Sequence, residues 1–272
     1  EHADVEALTV RSYDGLGLNT RPVLARSDLY AREGKSQHAF CIHIDREGDV
    51  RVLCNVEPNE RWTETMLHEF GHAVYDRELD RSLPWLLREP AHALTTEGVA
   101  MLFGRLARNP SWLTTVAGID TSDVDALTPS LASARRAALL VFARWVLVMT
   151  NFERGLYSDP DADHDTRWWD LVERYQRVRR PDGRHAPDWA AKIHLTVAPV
   201  YYQNYLYGEL VASQLQSTLE MHAGGLVDAP TAGRFLVDEL FRPGASVRWD
   251  RLVERATREP LTAAHLANQL AA

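Results

Sequence analysis

Two kinds of apolar pattern divide the chain. Two short runs rich in β-forming residues, Ala39-Phe-Cys-Ile-His-Ile44 and Val50-Arg-Val-Leu-Cys-Asn-Val56, on either side of the polar, Gly-containing turn Asp45-Arg-Glu-Gly-Asp49, predict a β-hairpin. Beyond it the period becomes helical. Met66, Leu67, Phe70, Ala73 and Val74 share one side of a segment that Asn59, after Pro58, would cap from about Glu60. A turn-rich connector, Asp80 to Pro90, leads to a second helix over Ala93 to Phe103, with Thr95 or Thr96 near its start. Pro110 and the stretch 114–129 read as linker. A long helix follows from Leu131 to Tyr157, with Leu139, Leu140, Phe142, Val146, Leu147 and Met149 assigned to the core. A further helix over Arg167 to Gln176, opened by Asp165 or Thr166, ends before the turn Pro181-Asp-Gly183. Another runs to Met221, and the tail from Thr231 is helical with breaks at Pro243-Gly244 and Glu259-Pro260. Residues 1–37, with Gly15, Gly17, Pro22 and Gly34, read as loop around one short helix near Pro22 to Ala31. The expected fold is mainly α with one small hairpin: a single catalytic domain made of a loop-rich segment, 1–58, and a helical body, 59–272.

Composition narrows the function classes. A chain of 272 residues, 45% of them hydrophobic, buries a substantial core. Net charge is −8 and the 30 Lys and Arg residues are scattered, which argues against nucleic acid. No apolar run reaches the ~18 residues of a membrane span; the longest, Ala137 to Met149, is broken by Arg144. Glu-His-Ala-Asp at the start lacks Met and a signal-peptide pattern and reads as a processed or trimmed end, so localisation stays unassigned. Cys41 and Cys54 lie on the two arms of the hairpin, where a cross-strand disulfide and two reduced thiols are both open.

The stretch that carries chemistry is His68-Glu69-Phe70-Gly71-His72. At 3.6 residues per turn the two histidines stand one above the other, and Glu69 lies roughly 60° around from His72. Two neutral imidazoles at this spacing can share a tetrahedral zinc, with one more protein ligand and one position left for water. Glu97, in the next helix and 25 residues after His72, is the candidate third ligand. A first-turn glutamate favoured by the helix dipole is the bland alternative. Asp159-Pro-Asp-Ala-Asp-His-Asp165 lacks the spacing of a calcium loop and reads as a solvated cap. A fourth ligand, as a structural zinc site requires, is missing; His92 is the nearest candidate and reads as a surface residue.

A second dense stretch comprises Lys192, His194, Tyr201, Tyr202, Tyr205 and Tyr207. An aromatic packing patch and a site for an anionic intermediate and a substrate carboxylate both fit it. The hairpin edge, likewise, either binds an extended peptide or merely covers the core.

In their order and spacing these features resemble the gluzincin zinc peptidases of the angiotensin-converting-enzyme (peptidyl-dipeptidase) family, with kinship to thimet oligopeptidase-like enzymes. The likeness rests on His68-Glu-Phe-Gly-His72, Glu97, Trp168-Trp-x-Leu-x-x-x-Tyr-Gln176, Ala191-Lys-Ile-His194 and Pro199 to Tyr205, and covers most of residues 40–220. It implies a helical fold with a deep channel and zinc at its floor, held by His68, His72 and Glu97. Glu69 would be the base, taking a proton from a water held at zinc, so that peptide bonds are hydrolysed in a peptidyl-dipeptidase or oligopeptidase manner. His194 and Tyr205 match the stabilisers of the oxyanion. Lys192 and Tyr202 match the holders of the substrate's C-terminal carboxylate, with Tyr201 competing for the second place. The hairpin cysteines sit where that family has a disulfide, within a shorter loop. The resemblance also implies an N-terminal half that is absent here, so that the cleft needs that half or a partner chain; an inactive peptide-binding relative is the alternative reading. Asn204 replaces a chloride-binding Arg, and Met101 an acid that would orient a zinc-bound imidazole.

Overall fold

The computed structural model describes residues 4–271. It is mainly helical, with one two-stranded antiparallel sheet. The elements are α1 (Val5–Asp14), α2 (Arg21–Leu24), β1 (Phe40–His43), β2 (Val50–Leu53), α3 (Glu60–Glu78), α4 (Ala93–Gly104), α5 (Pro110–Thr115), α6 (Thr121–Ser158), α7 (His164–Gln176), α8 (Ile193–Thr196), α9 (Gln203–Ala223), α10 (Pro230–Leu236), α11 (Trp249–Thr257) and α12 (Ala264–Ala271). Among the described residues no helix is long and apolar enough to cross a membrane. The chain forms two compact units, Glu1–Pro129 with Gly208–Ala272, and Ser130–Tyr207.

In the first unit α3 is the central element. Asn59 caps it as the sequence predicts, its side chain accepting from the Trp62 N–H at 3.0 Å. Met66, Leu67, Phe70, Ala73 and Val74 are all buried in the core. Tyr13 of α1 packs on Phe103 and donates to the Leu67 carbonyl at 2.6 Å, so its buried hydroxyl is satisfied. Tyr75 stacks on Phe241 at 4.7 Å, which joins the C-terminal tail to the same core. The hairpin pairs Cys41 with Val52 and His43 with Val50. Both cysteines are free thiols.

The second unit has its own core of Val148, Met149, Phe152, Trp168, Val172 and Leu195. The Asp159–Asp165 stretch caps α7: the Asp163 carboxylate accepts from the Thr166 N–H at 3.0 Å.

Several expectations are corrected. The opening segment holds a ten-residue helix, α1, while the helix near Pro22 shrinks to four residues. The expected linker is helical at both ends, as α5 and as the first turns of the 38-residue α6, which runs through Pro129. A proline inside a helix costs a hydrogen bond but fits its φ, so a long helix can absorb it. Val146 and Met149 are core, but Leu140 and Leu147 are exposed.

Candidate metal centre and active site

The three expected ligands meet within the first unit. α3 places His68 and His72 on one face with ring centroids 5.0 Å apart. α4 brings Glu97 to them because Gly71 presents no side chain: a Cβ there would lie 2.8 Å from the Ala100 Cα. Glu97 Oε2 is 3.5 Å from His68 Nε2 and 3.8 Å from His72 Nε2, and one donor atom from each residue falls within 4.8 Å of the others. A tetrahedral ion with bonds of about 2.0–2.1 Å sets its donors about 3.4 Å apart, so this set fits zinc after a small contraction. Among the described residues it is the only group of three His, Cys, Asp or Glu side chains so arranged.

The protonation states suit the same ion. Burial lowers the His68 pKa to about 4, and burial followed by the neighbouring His68 holds His72 well below the usual imidazole value. Both rings are therefore neutral near pH 7, the form that ligates a metal. His72 Nδ1 lies 2.6 Å from Thr96 Oγ1. With Nδ1–H donating to that hydroxyl, Nε2 carries the lone pair that faces Glu97.

Glu69 is buried beside this group. Burial first, then the charge of Glu97, raises its pKa to about 8. The backbone N–H of Cys41 opposes the shift by donating to the carboxylate, so β1 holds the side chain that α3 supplies.

In the second unit the expected His, Tyr and Lys residues also gather. His194 Nε2 is 3.0 Å from the Tyr205 hydroxyl. The Tyr202 ring lies 4.9 Å from His194 and 5.1 Å from Tyr205, and Tyr201 lies 5.4 Å from Tyr205. Lys192 Nζ sits over Trp145 and Trp168, 5.4 and 5.8 Å from their centroids. Burial raises the Tyr202 pKa, with a hydrogen bond from Trp145 opposing it.

Sequence reasoning gave no part in the site to Thr96, to the Cys41 N–H or to the place of Trp145 and Trp168 beneath Lys192. Met101 stands where the resemblance places an orienting acid, and the hydroxyl of Thr96, adjacent to Glu97, lies against a candidate ligand imidazole in its stead. Met101 packs against Gly208, where a Cβ would come 3.1 Å from its sulfur. His92 is exposed, as expected, and caps α4 by accepting from the Leu94 N–H at 3.2 Å.

A family model described as "Peptidase family M3" matches residues 2–271. The chain belongs to peptidase family M3. Solved structures show the same fold at low identity, and their likeness to this M3 chain speaks for the fold alone. One, described as "BsuCP Crystal Structure", has a TM-score of 0.73 at 17% identity over 98% of this chain and 57% of its own. Another, described as "The Structure of CHT", has a TM-score of 0.73 at 18% identity over 100% of this chain and 59% of its own. The M3 chain thus spans less than two thirds of these neighbours. No curated protein matches it in sequence. Membership in M3 names a family of metallopeptidases, the thimet oligopeptidase-like branch of the expected resemblance; the closer tie to the converting enzymes is not specifically supported.

Proposed function

We propose that the chain is a zinc peptidase acting on peptides in an oligopeptidase or peptidyl-dipeptidase manner. The observation that carries this is the convergence of His68, His72 and Glu97 with Glu69 buried alongside. Zinc bound there would polarise a peptide carbonyl and acidify water. Glu69 serves as the base: its carboxylate takes a proton from the attacking water and returns it to the leaving amine. A zinc cation beside Glu69 would draw its raised pKa back down, toward the carboxylate form that can act as base. The Cys41 N–H holds the carboxylate, and the Thr96 hydroxyl can accept the His72 Nδ1–H, leaving Nε2 for the metal.

His194 and Tyr205 take, on the strength of the sequence resemblance, the role of donors to the developing oxyanion. Lys192 with Tyr202, or Tyr201 in its place, takes that of holding the substrate's terminal carboxylate. Their mutual hydrogen bonding and packing support a preformed group.

Glu69→Gln tests the reading. The amide keeps the shape of the side chain but cannot accept the proton. Zinc content by elemental analysis is expected to stay at the wild-type level while turnover of a peptide library, followed by mass spectrometry, falls by roughly 10³-fold or more. Undiminished turnover removes Glu69 from the reaction. A zinc-loaded wild type that leaves the whole library intact favours the inactive peptide-binding reading, in which a further segment or partner chain is needed.

A further inference from the structure

A cavity of about 700 Å³ lies in the first unit, where the hairpin turn meets the end of α3. Four arginines line it: Arg26 just past α2, Arg51 on β2, Arg77 in the last turn of α3, and Arg81 just beyond that helix. Its acidic lining residues already have partners. Asp49 pairs with Arg51 at 2.6 Å and with Arg26 at 3.7 Å. Asp45 accepts the backbone N–H groups of Glu47 and Asp49, at 2.7 and 2.9 Å. Glu47 pairs with Arg88, outside the cavity. No carboxylate of the described residues pairs with Arg77 or Arg81.

Arg81 also lies against the hairpin turn. Its guanidinium lies over the backbone of Gly48, where any Cβ would collide with it, and Gly48 has φ +107°, which a side chain would disfavour. His43 of the hairpin accepts from the Gly48 N–H at 3.0 Å beside this guanidinium. Arg77 is stabilised at a helix C-terminus by the dipole, yet its charge still faces the cavity.

We propose that this cavity is a binding site for a dianionic oxyanion of the phosphate class, taken up by Arg77 and Arg81. Two planar guanidinium forks without carboxylate partners match the oxygen geometry of phosphate better than that of a monatomic anion. Bound phosphate would bridge the hairpin turn and the end of α3. Any effect on turnover would rest on the role given to Glu69 above, so the test reads binding alone.

Inorganic phosphate, O-phosphoserine and chloride are titrated into the 272-residue chain by calorimetry at matched ionic strength, with chelator present. Phosphate or its ester is expected to bind with a saturable isotherm, and Arg77→Gln/Arg81→Gln to weaken it by roughly tenfold or more while the unliganded chain stays folded, with a thermal midpoint within a few degrees of the wild type. Tighter binding of the ester assigns the cavity to a phosphorylated molecule, and tighter binding of the free ion to phosphate itself. Arg251→Gln, which removes an exposed pair with Glu254 elsewhere, serves as control and should leave the affinity unchanged. Equal affinity in the double variant, or a chloride response that matches phosphate, overturns the assignment. So does a wild type that binds neither phosphate nor its ester.

Discussion

Thr96 illustrates what a single hydroxyl contributes to this centre. At 2.6 Å from His72 Nδ1 it can accept the Nδ1–H of the tautomer that leaves Nε2 to ligate, a task that carboxylates and carbonyls perform in many zinc sites. Thr96→Val keeps the shape and removes the acceptor. It should weaken zinc by roughly 10- to 100-fold in competition with a chromogenic chelator, with Thr96→Ser restoring the affinity; an unchanged constant would show that the contact is incidental. Asp76, one turn past His72, makes a different point. Burial alone raises its pKa to about 7, far above that of an unfolded chain. Between about pH 4 and pH 7 the folded protein therefore holds a proton that the unfolded chain releases, so this group makes stability fall as pH rises through that window and stay flat above it. Asp76→Asn should stabilise by about 1–2 kcal/mol at pH 8, its partial exposure allowed for, and the gain should shrink toward pH 5. Denaturant unfolding in chelator at both pH values checks this, and a gain independent of pH would count against it. His68, Glu69, His72 and Glu97 were legible because ligand chemistry imposes a spacing. Thr96, the Cys41 N–H and the burial of Asp76 were not, since hydroxyls and backbone groups leave no signature and the burial depends on what packs over α3.

At the scale of elements the centre depends on how closely helices approach. Gly71 lets α4 lie against α3, and Gly208 lets α9 lie against α4, where a Cβ would come 2.9 Å from that of Glu97. Alanine normally favours a helix over glycine by about 1 kcal/mol. At Gly71 the new methyl meets the Ala100 backbone, which cannot rotate away, so the steric term wins. Gly71→Ala is expected to destabilise by on the order of 1–3 kcal/mol and to weaken zinc along with it, because α4 carries Glu97. Thermal unfolding and metal competition on the same sample test the pairing of these effects; a more stable, normally binding variant would show the helices free to shift. The sequence foretold α3, α4, α7 and the hairpin closely, since each has a clear period and a capping or turn residue. α1 escaped because its buried face carries Thr9 and Ser12, whose hydroxyls bond back to Val5 and Leu8 one turn earlier, so the helix does not look apolar inward. The start of α6 escaped because Pro129 reads as a break.

Over the whole molecule, all three candidate ligands belong to the unit formed by Glu1–Pro129 and Gly208–Ala272. That unit is discontinuous in the chain. Leu215, Leu219, Leu240 and Phe241 of the C-terminal portion share one core with Phe70, Tyr75 and Phe103 of the N-terminal portion. Nothing local in the sequence announces such a union, because the contacts that create it join positions more than a hundred residues apart. Zinc, if taken up between α3 and α4 as proposed, would stabilise the folded form of this unit by mass action, provided the unfolded chain binds it poorly. At a free concentration about a thousand times the dissociation constant the gain is about 4 kcal/mol. The thermal midpoint in zinc should therefore exceed that in chelator by several degrees. Amide exchange in α3 and α4 should slow on zinc addition, and His68→Ala should abolish both effects. A midpoint that ignores zinc in the wild type, or a shift that persists in His68→Ala, would mean that the ion binds elsewhere or not at all.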